Sequence, residues 1–177
     1  MRIKSPGTLA FALGLLLAGL ARADEDRCTR VDAPIVTMLY LDGCQSPVGL
    51  CTRGTVGGGP LEGTTDFRVL TLVPGPTPDT LVYTGVLTIT TRSGSVTIHD
   101  RGILDNATGR FFEFDPIVSG TGKYRKAAGL FTSQGFATGT GFIGTLTGAL
   151  CNREKDRSEK HGEKDKSENN QGEKDSK

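Results

Sequence analysis

Asp100 and Tyr83 are the residues of this chain whose placement most suggests chemistry. In segment 96–104, VTIHDRGIL, strand alternation puts Val96, Ile98 and Leu104 on one face, and Asp100 shares it. A carboxylate on an apolar face must find a partner or shift its pKa. Tyr83 lies in the same way with Leu81, Leu87 and Ile89 in segment 80–91. Together the two would form a polar island able to protonate or orient a ligand, the work required of an isomerase or cyclase. The competing reading makes Asp100 a loop cap near its strand end and Tyr83 a packing residue, and it is favoured because bulges interrupt a period of two.

The other candidates carry less. His99 falls on the face opposite Asp100, with Thr97 and Arg101, so the adjacent pair cannot act as an acid/base dyad and His99 is expected at the surface. Glu113 and Asp115 share one face of segment 110–118, opposite Phe112 and Phe114. Two spaced carboxylates invite a glycosidase reading, but their face is the polar one and is expected outside. Gly57-Gly58-Gly59-Pro60 is not followed by Gly-Lys-Ser/Thr and reads as a flexible link rather than a phosphate loop. There is no C-x-x-C, and His99 is the only histidine before the last 26 residues, so neither a metal site nor a cofactor is expected. Asn106-Ala107-Thr108 matches the N-glycosylation pattern within a turn.

Three compositional regions position these residues. Arg2 and Lys4, an apolar run from Leu9 to Leu20, and Ala21-Arg22-Ala23 read as a cleavable signal over 1–23. The apolar run falls short of the roughly 20 residues of a spanning helix, so no stable membrane span is expected after cleavage. Residues 152–177 hold no aliphatic or aromatic side chain, and eight basic residues balance eight acidic ones, as expected of a disordered charged tail. Between them, 24–151 is long enough for one domain. It carries ten basic against twelve acidic residues, which argues against nucleic acid as a partner.

The domain reads as all-β. Segments rich in Val, Ile, Thr and Phe recur at 35–41, 50–56, 65–73, 80–91, 96–104, 110–118, 129–138 and 141–150, separated by Gly, Pro, Asn and Asp. About eight antiparallel strands with short links fit a closed barrel better than a sandwich. All four cysteines lie in the exported part, where an oxidising compartment lets them pair. Three connectivities are open. The preferred one joins Cys44 to Cys51 around a short loop and Cys28 to Cys151, because first and last strands are neighbours in a closed barrel.

The stretch 120–129, GTGKYRKAAG, adds a fold signature. Gly120, Gly122 and Gly129 bracket a tight reversal, and Tyr124 supplies a ring to cover bare backbone with its hydroxyl directed at a polar group on the barrel rim. The pattern G-T-G-x-Y-x-x-A-x-G, running into a Thr/Gly/Phe-rich end, resembles the allene oxide cyclase-like and dirigent-like barrel family, in particular its small secreted members. That resemblance implies a closed barrel and spans activities from fatty-acid epoxide cyclisation to the steering of radical coupling. None of that family's catalytic motifs maps onto this chain, and the glycine and Tyr124 pattern belongs to the fold rather than to a reaction. The expected protein is therefore a secreted or periplasmic barrel that binds or guides a small apolar ligand. A cofactor-free isomerase using Asp100 and Tyr83, and a filled barrel acting through its surface, are the alternatives. Oligomeric state has no sequence signature here.

Overall fold

The computed structural model describes residues 28–152, so the expected signal segment and the tail beyond Asn152 lie outside the described residues. Eight strands follow one another: β1 (Cys28–Tyr40), β2 (Cys51–Val56), β3 (Gly63–Pro74), β4 (Thr80–Thr91), β5 (Gly94–Asp105), β6 (Arg110–Gly120), β7 (Ala127–Ala137) and β8 (Gly141–Asn152). Each pairs antiparallel with the next, and β8 returns to β1 in a register running from Cys28↔Cys151 to Met38↔Gly141, which closes the barrel. The all-β, eight-stranded expectation holds. The largest difference is at β1, which starts seven residues before the expected 35–41. Asp32 and Pro34 read as strand breakers, but both point outward while Val31, Ala33 and Ile35 alternate into the core. Asn152, expected in the tail, is the last residue of β8.

Both disulfides form, Cys28–Cys151 and Cys44–Cys51, and no described cysteine is free. Two such bridges indicate an oxidising, extracellular-type environment. Among the described residues, no helix is long and apolar enough to cross a membrane.

The barrel's ends are built differently. At the end carrying Cys28–Cys151, the 57–62 link turns inward as a single 3-10 turn, Gly59–Leu61, and Leu61 is fully buried. It is a plug, not the flexible link expected for 57–60. Glycines give the chain the φ values of +79° and +71° it needs at Gly58 and Gly59 to enter, while the apolar Leu61 side chain gains by leaving water. A second 3-10 turn, Gly122–Tyr124, closes over the same end. Gly122 sits at φ +55°, and a Cβ there would lie 2.3 Å from the Ser93 carbonyl oxygen, so only glycine lets this turn cross the β4–β5 hairpin. Two backbone bonds hold the crossing, from Lys123 N to Ser93 O and from Thr121 N to Ser95 O, both 2.8 Å. Tyr124 is buried, and its hydroxyl donates to the Pro60 carbonyl, tying the two plugs together. Gly120 ends β6 and Gly129 lies in β7. The core beneath contains Val31, Ile89, Val96, Ile98, Phe131, Leu146 and Leu150.

At the opposite end, where β1–β2, β3–β4, β5–β6 and β7–β8 connect, no 3-10 turn enters the barrel among the described residues, and Leu50 from the β1–β2 connection packs half-buried at the cavity wall.

Candidate functional site

Tyr83, Asp100, Glu113 and Asp115 all project into the barrel. On β4, Tyr83, Gly85, Leu87 and Ile89 alternate inward, and on β5 Ile98, Asp100 and Gly102 do the same. On β6 the inward residues are Phe111, Glu113 and Asp115, while Phe112 and Phe114 are each 46% exposed on the outer surface. This overturns the expectation that Glu113 and Asp115 face outward. The alternation was read correctly, but alternation only sorts residues into two faces. Which face is inside is fixed by pairing: Gly102↔Glu113 and Arg101↔Phe114 place the β6 carboxylates on the Asp100 side. Asp100 itself sits mid-strand in the interior and caps no loop. His99 is exposed.

Glycine makes the room for this arrangement. Opposite Glu113, a Cβ on Gly102 would lie 2.3 Å from Tyr83 Cζ, so the phenol occupies the space a side chain would take. Gly85 does the same for the Phe67 ring, whose edge meets Tyr83 with centroids 6.4 Å apart. The Tyr83 hydroxyl thereby reaches Glu113 and donates to Oε1 at 2.6 Å. From β7, Ser133 donates to Asp115 Oδ2 at 2.6 Å. Asp100 is 2% and Asp115 0% exposed, and one oxygen of each, Oδ1, has no hydrogen-bond partner. Carboxylate oxygens of Asp100, Glu113 and Asp115 all lie within 4.8 Å of one another. No metal site was expected from the sequence; this all-oxygen group is of a kind that suits a hard cation rather than zinc.

Burial raises the proton affinity of all three acids. Asp100 is pushed up to about 10 by burial and then by the nearby charges of Glu113 and Asp115. Burial and then the Asp115 charge raise Glu113 to about 7, opposed by the hydrogen bond from Tyr83. Asp115 rises to about 6, with burial opposed by the bond from Ser133. Burial, then the Glu113 charge, pushes the Tyr83 phenol upward, so it remains a donor. The three acids titrate as a set. At neutral pH the set retains part of its protons, held among the three carboxyl groups.

Above this group lies a cavity of about 90 Å³ between the acids and the open end. Tyr83, Asp100 and Glu113 line its polar side. Most of its remaining wall is apolar, with Leu81, Leu87, Leu104, Phe67, Phe111 and Phe142 prominent. Lys, Arg and His are absent from the residues lining it. The arrangement can therefore hold a small molecule by its apolar body and present it with a donor phenol and carboxyl groups in more than one protonation state.

Sequence reasoning brought Asp100 and Tyr83 to the same interior but missed Glu113, Asp115 and Ser133. A usable signal was present. Counting outward from the 105–109 turn sets residue 104 against 111, 102 against 113, and 100 against 115, so any inward Asp100 carries both acids in with it.

Family models, curated proteins and solved structures give no match to this chain.

Proposed function

We propose that this is an exported, single-domain barrel that binds one small, largely apolar molecule in its open half and orients it against the Tyr83, Asp100 and Glu113 side chains. The supporting observation is the cavity itself: apolar walls converge on a few polar groups, the usual composition of a small-molecule site, and a buried apolar core fills the half beneath it. Export is supported by the signal-like residues 1–23 and by the two disulfides. The resemblance of 120–129 to allene oxide cyclase-like barrels agrees with a ligand-holding role, and membership of that family is part of the proposal.

Native mass spectrometry of the oxidised protein purified from its own host, with bound molecules extracted and identified, tests this reading. One equivalent of a small apolar compound per barrel is expected, and Leu87→Trp, which fills the cavity, should release it. A ligand-free barrel that also fails to take up small apolar probes in vitro would refute it.

A second reading has its own observation. Glu113, near 7, is placed to accept a proton from one atom of a bound molecule and return it to another, assisted by Tyr83. Such an isomerisation or cyclisation is redox-neutral and needs no cofactor. Turnover of the extracted ligand, lost in Glu113→Gln with binding retained, would distinguish a catalyst from a binding barrel. The surface-interaction reading draws on a contiguous exposed apolar side formed by Val36, Met38, Phe112, Phe114, Phe136 and Ile143. It predicts concentration-dependent association in sedimentation.

A further inference from the structure

We infer that the polar head of the bound molecule is an organic cation, a protonated amine carried on a small apolar body. This inference deepens the cavity-binding reading above and rests on it.

The acids of this cavity have no basic partner among the residues that line it. Buried carboxylates are ordinarily paired with a base or a metal, because an isolated ion is costly in a low-dielectric interior. The groups facing this site are Asp100 from β5, Glu113 and Asp115 from β6, Tyr83 from β4 and Ser133 from β7. Three are acids and two are hydroxyl donors; Tyr83, Asp100 and Glu113 line the cavity, Asp115 and Ser133 are buried outside its lining, and no basic side chain lines it.

Register makes the crowding sharper. The pairs Ile98↔Ile117 and Arg101↔Phe114 set Asp100 directly across from Asp115. Two ionised carboxylates in that relation would be unfavourable even on a solvated sheet, so without a cation the set must retain protons. The hydroxyl donors do not resolve it, since Tyr83 serves Glu113 Oε1 and Ser133 serves Asp115 Oδ2. Asp100 Oδ1 and Asp115 Oδ1 remain buried acceptors without a donor. Each such atom forfeits the hydrogen bond it had in water.

An ammonium supplies what is missing. It carries three N–H donors and one positive charge; Asp100 and Glu113 line the cavity, and an Asp115 carboxylate oxygen lies within 4.8 Å of theirs, close enough for its charge to be felt there. An alcohol offers a single donor and no charge. A carboxylate ligand would add a fourth acid to a set that is already short of positive charge. The rings of Phe67, Tyr83, Phe111 and Phe142 line the same cavity and suit the apolar body of the ligand.

The test is isothermal titration calorimetry of the full-length oxidised protein with three matched probes, n-butylamine, n-butanol and n-butyrate. The expected result is an amine affinity at least tenfold above that of the alcohol, with butyrate weakest. In the Asp100→Asn/Asp115→Asn double variant the amine should lose that tenfold advantage while butanol binding persists, which also shows that the barrel is folded. Glu113→Gln should reproduce part of the loss. Equal binding of amine and alcohol would overturn the cationic head group and leave the cavity reading standing. Failure of all three probes would remove the cavity reading as well. Calcium chloride binding more tightly than butylamine, and losing that binding in the double variant, would overturn the organic cation in favour of a metal ion.

Discussion

The two halves of this barrel solve opposite problems with one fold. The plugged half is covered by chain: Leu61 and Tyr124 enter from two different connections, meet at the Pro60 carbonyl, and lie over a core of aliphatic side chains and Phe131. The open half keeps a gap, about 90 Å³, and lines its inner end with acids that a stability-driven core would exclude. Close packing and satisfied hydrogen bonds are what stability selects. The open half combines a cavity with two buried carboxylate oxygens that lack a donor, whereas the half beneath it leaves only the Thr65 hydroxyl unpaired among its described buried side chains, so the open half is where function is to be sought.

The largest effect should come from releasing the plugged end. Cys28–Cys151 spans 123 residues and pairs the first and last strands. By loop-closure entropy, its removal in Cys28→Ser/Cys151→Ser should cost roughly 4–5 kcal/mol, read as a shift of the urea midpoint. Loss of Cys44–Cys51, which closes seven residues near the open end, should cost clearly less. If the two cost the same, the contrast between the ends is not one of stability. Next comes Leu61→Ala, which empties a fully buried position in the plug and should cost about 3 kcal/mol by the same measurement.

How much of this contrast was legible in the sequence depends on the kind of information each half uses. The strand count, the turns and barrel closure follow from local composition, and Cys28 and Cys151 reinforced closure by lying at opposite ends of the folded segment. Tyr124 was legible because a glycine-rich turn leaves bare backbone that a large ring must cover. Leu61 was not, since a lone leucine after three glycines and a proline has no periodic partner to mark it as core. The acids were misplaced for a different reason. Phe112 and Phe114 make the more apolar face of β6, and the ordinary rule sends that face inward. Here the outer side of β6 to β8 and β1 is itself apolar, so polarity pointed the wrong way and only register across the 105–109 turn gives the right answer.

The open half should also betray itself through pH. All three acids bind protons more tightly in the folded barrel than in the unfolded chain, where carboxylates titrate near 4. Their burial is therefore tolerated fully only below that range. As pH rises through about 6 and 7 the unfolded state has already released protons that the folded state must still lose, and stability falls. Tm should thus decline from pH 5 to pH 8, the opposite of the behaviour of carboxylates held in salt bridges. Asp100→Asn should flatten the slope, and a flat wild-type profile would mean that the acids are compensated in a way the described residues do not reveal. A saturating amine should restore Tm at pH 8 more than at pH 5.

The smallest effect sharpens the comparison most directly, because it repeats a substitution already made at the other end. Leu81 lines the cavity wall near the open mouth and is only partly buried. Its side chain already faces a gap, so truncation to alanine enlarges an existing space rather than opening a new one, and it surrenders fewer contacts than Leu61 does. Leu81→Ala should cost about 1 kcal/mol, well below Leu61→Ala, while weakening uptake of small apolar probes through lost wall contact. Equal costs at the two positions would mean that the open half is packed as tightly as the plugged one in solution, and the cavity would then lose its claim to hold a ligand.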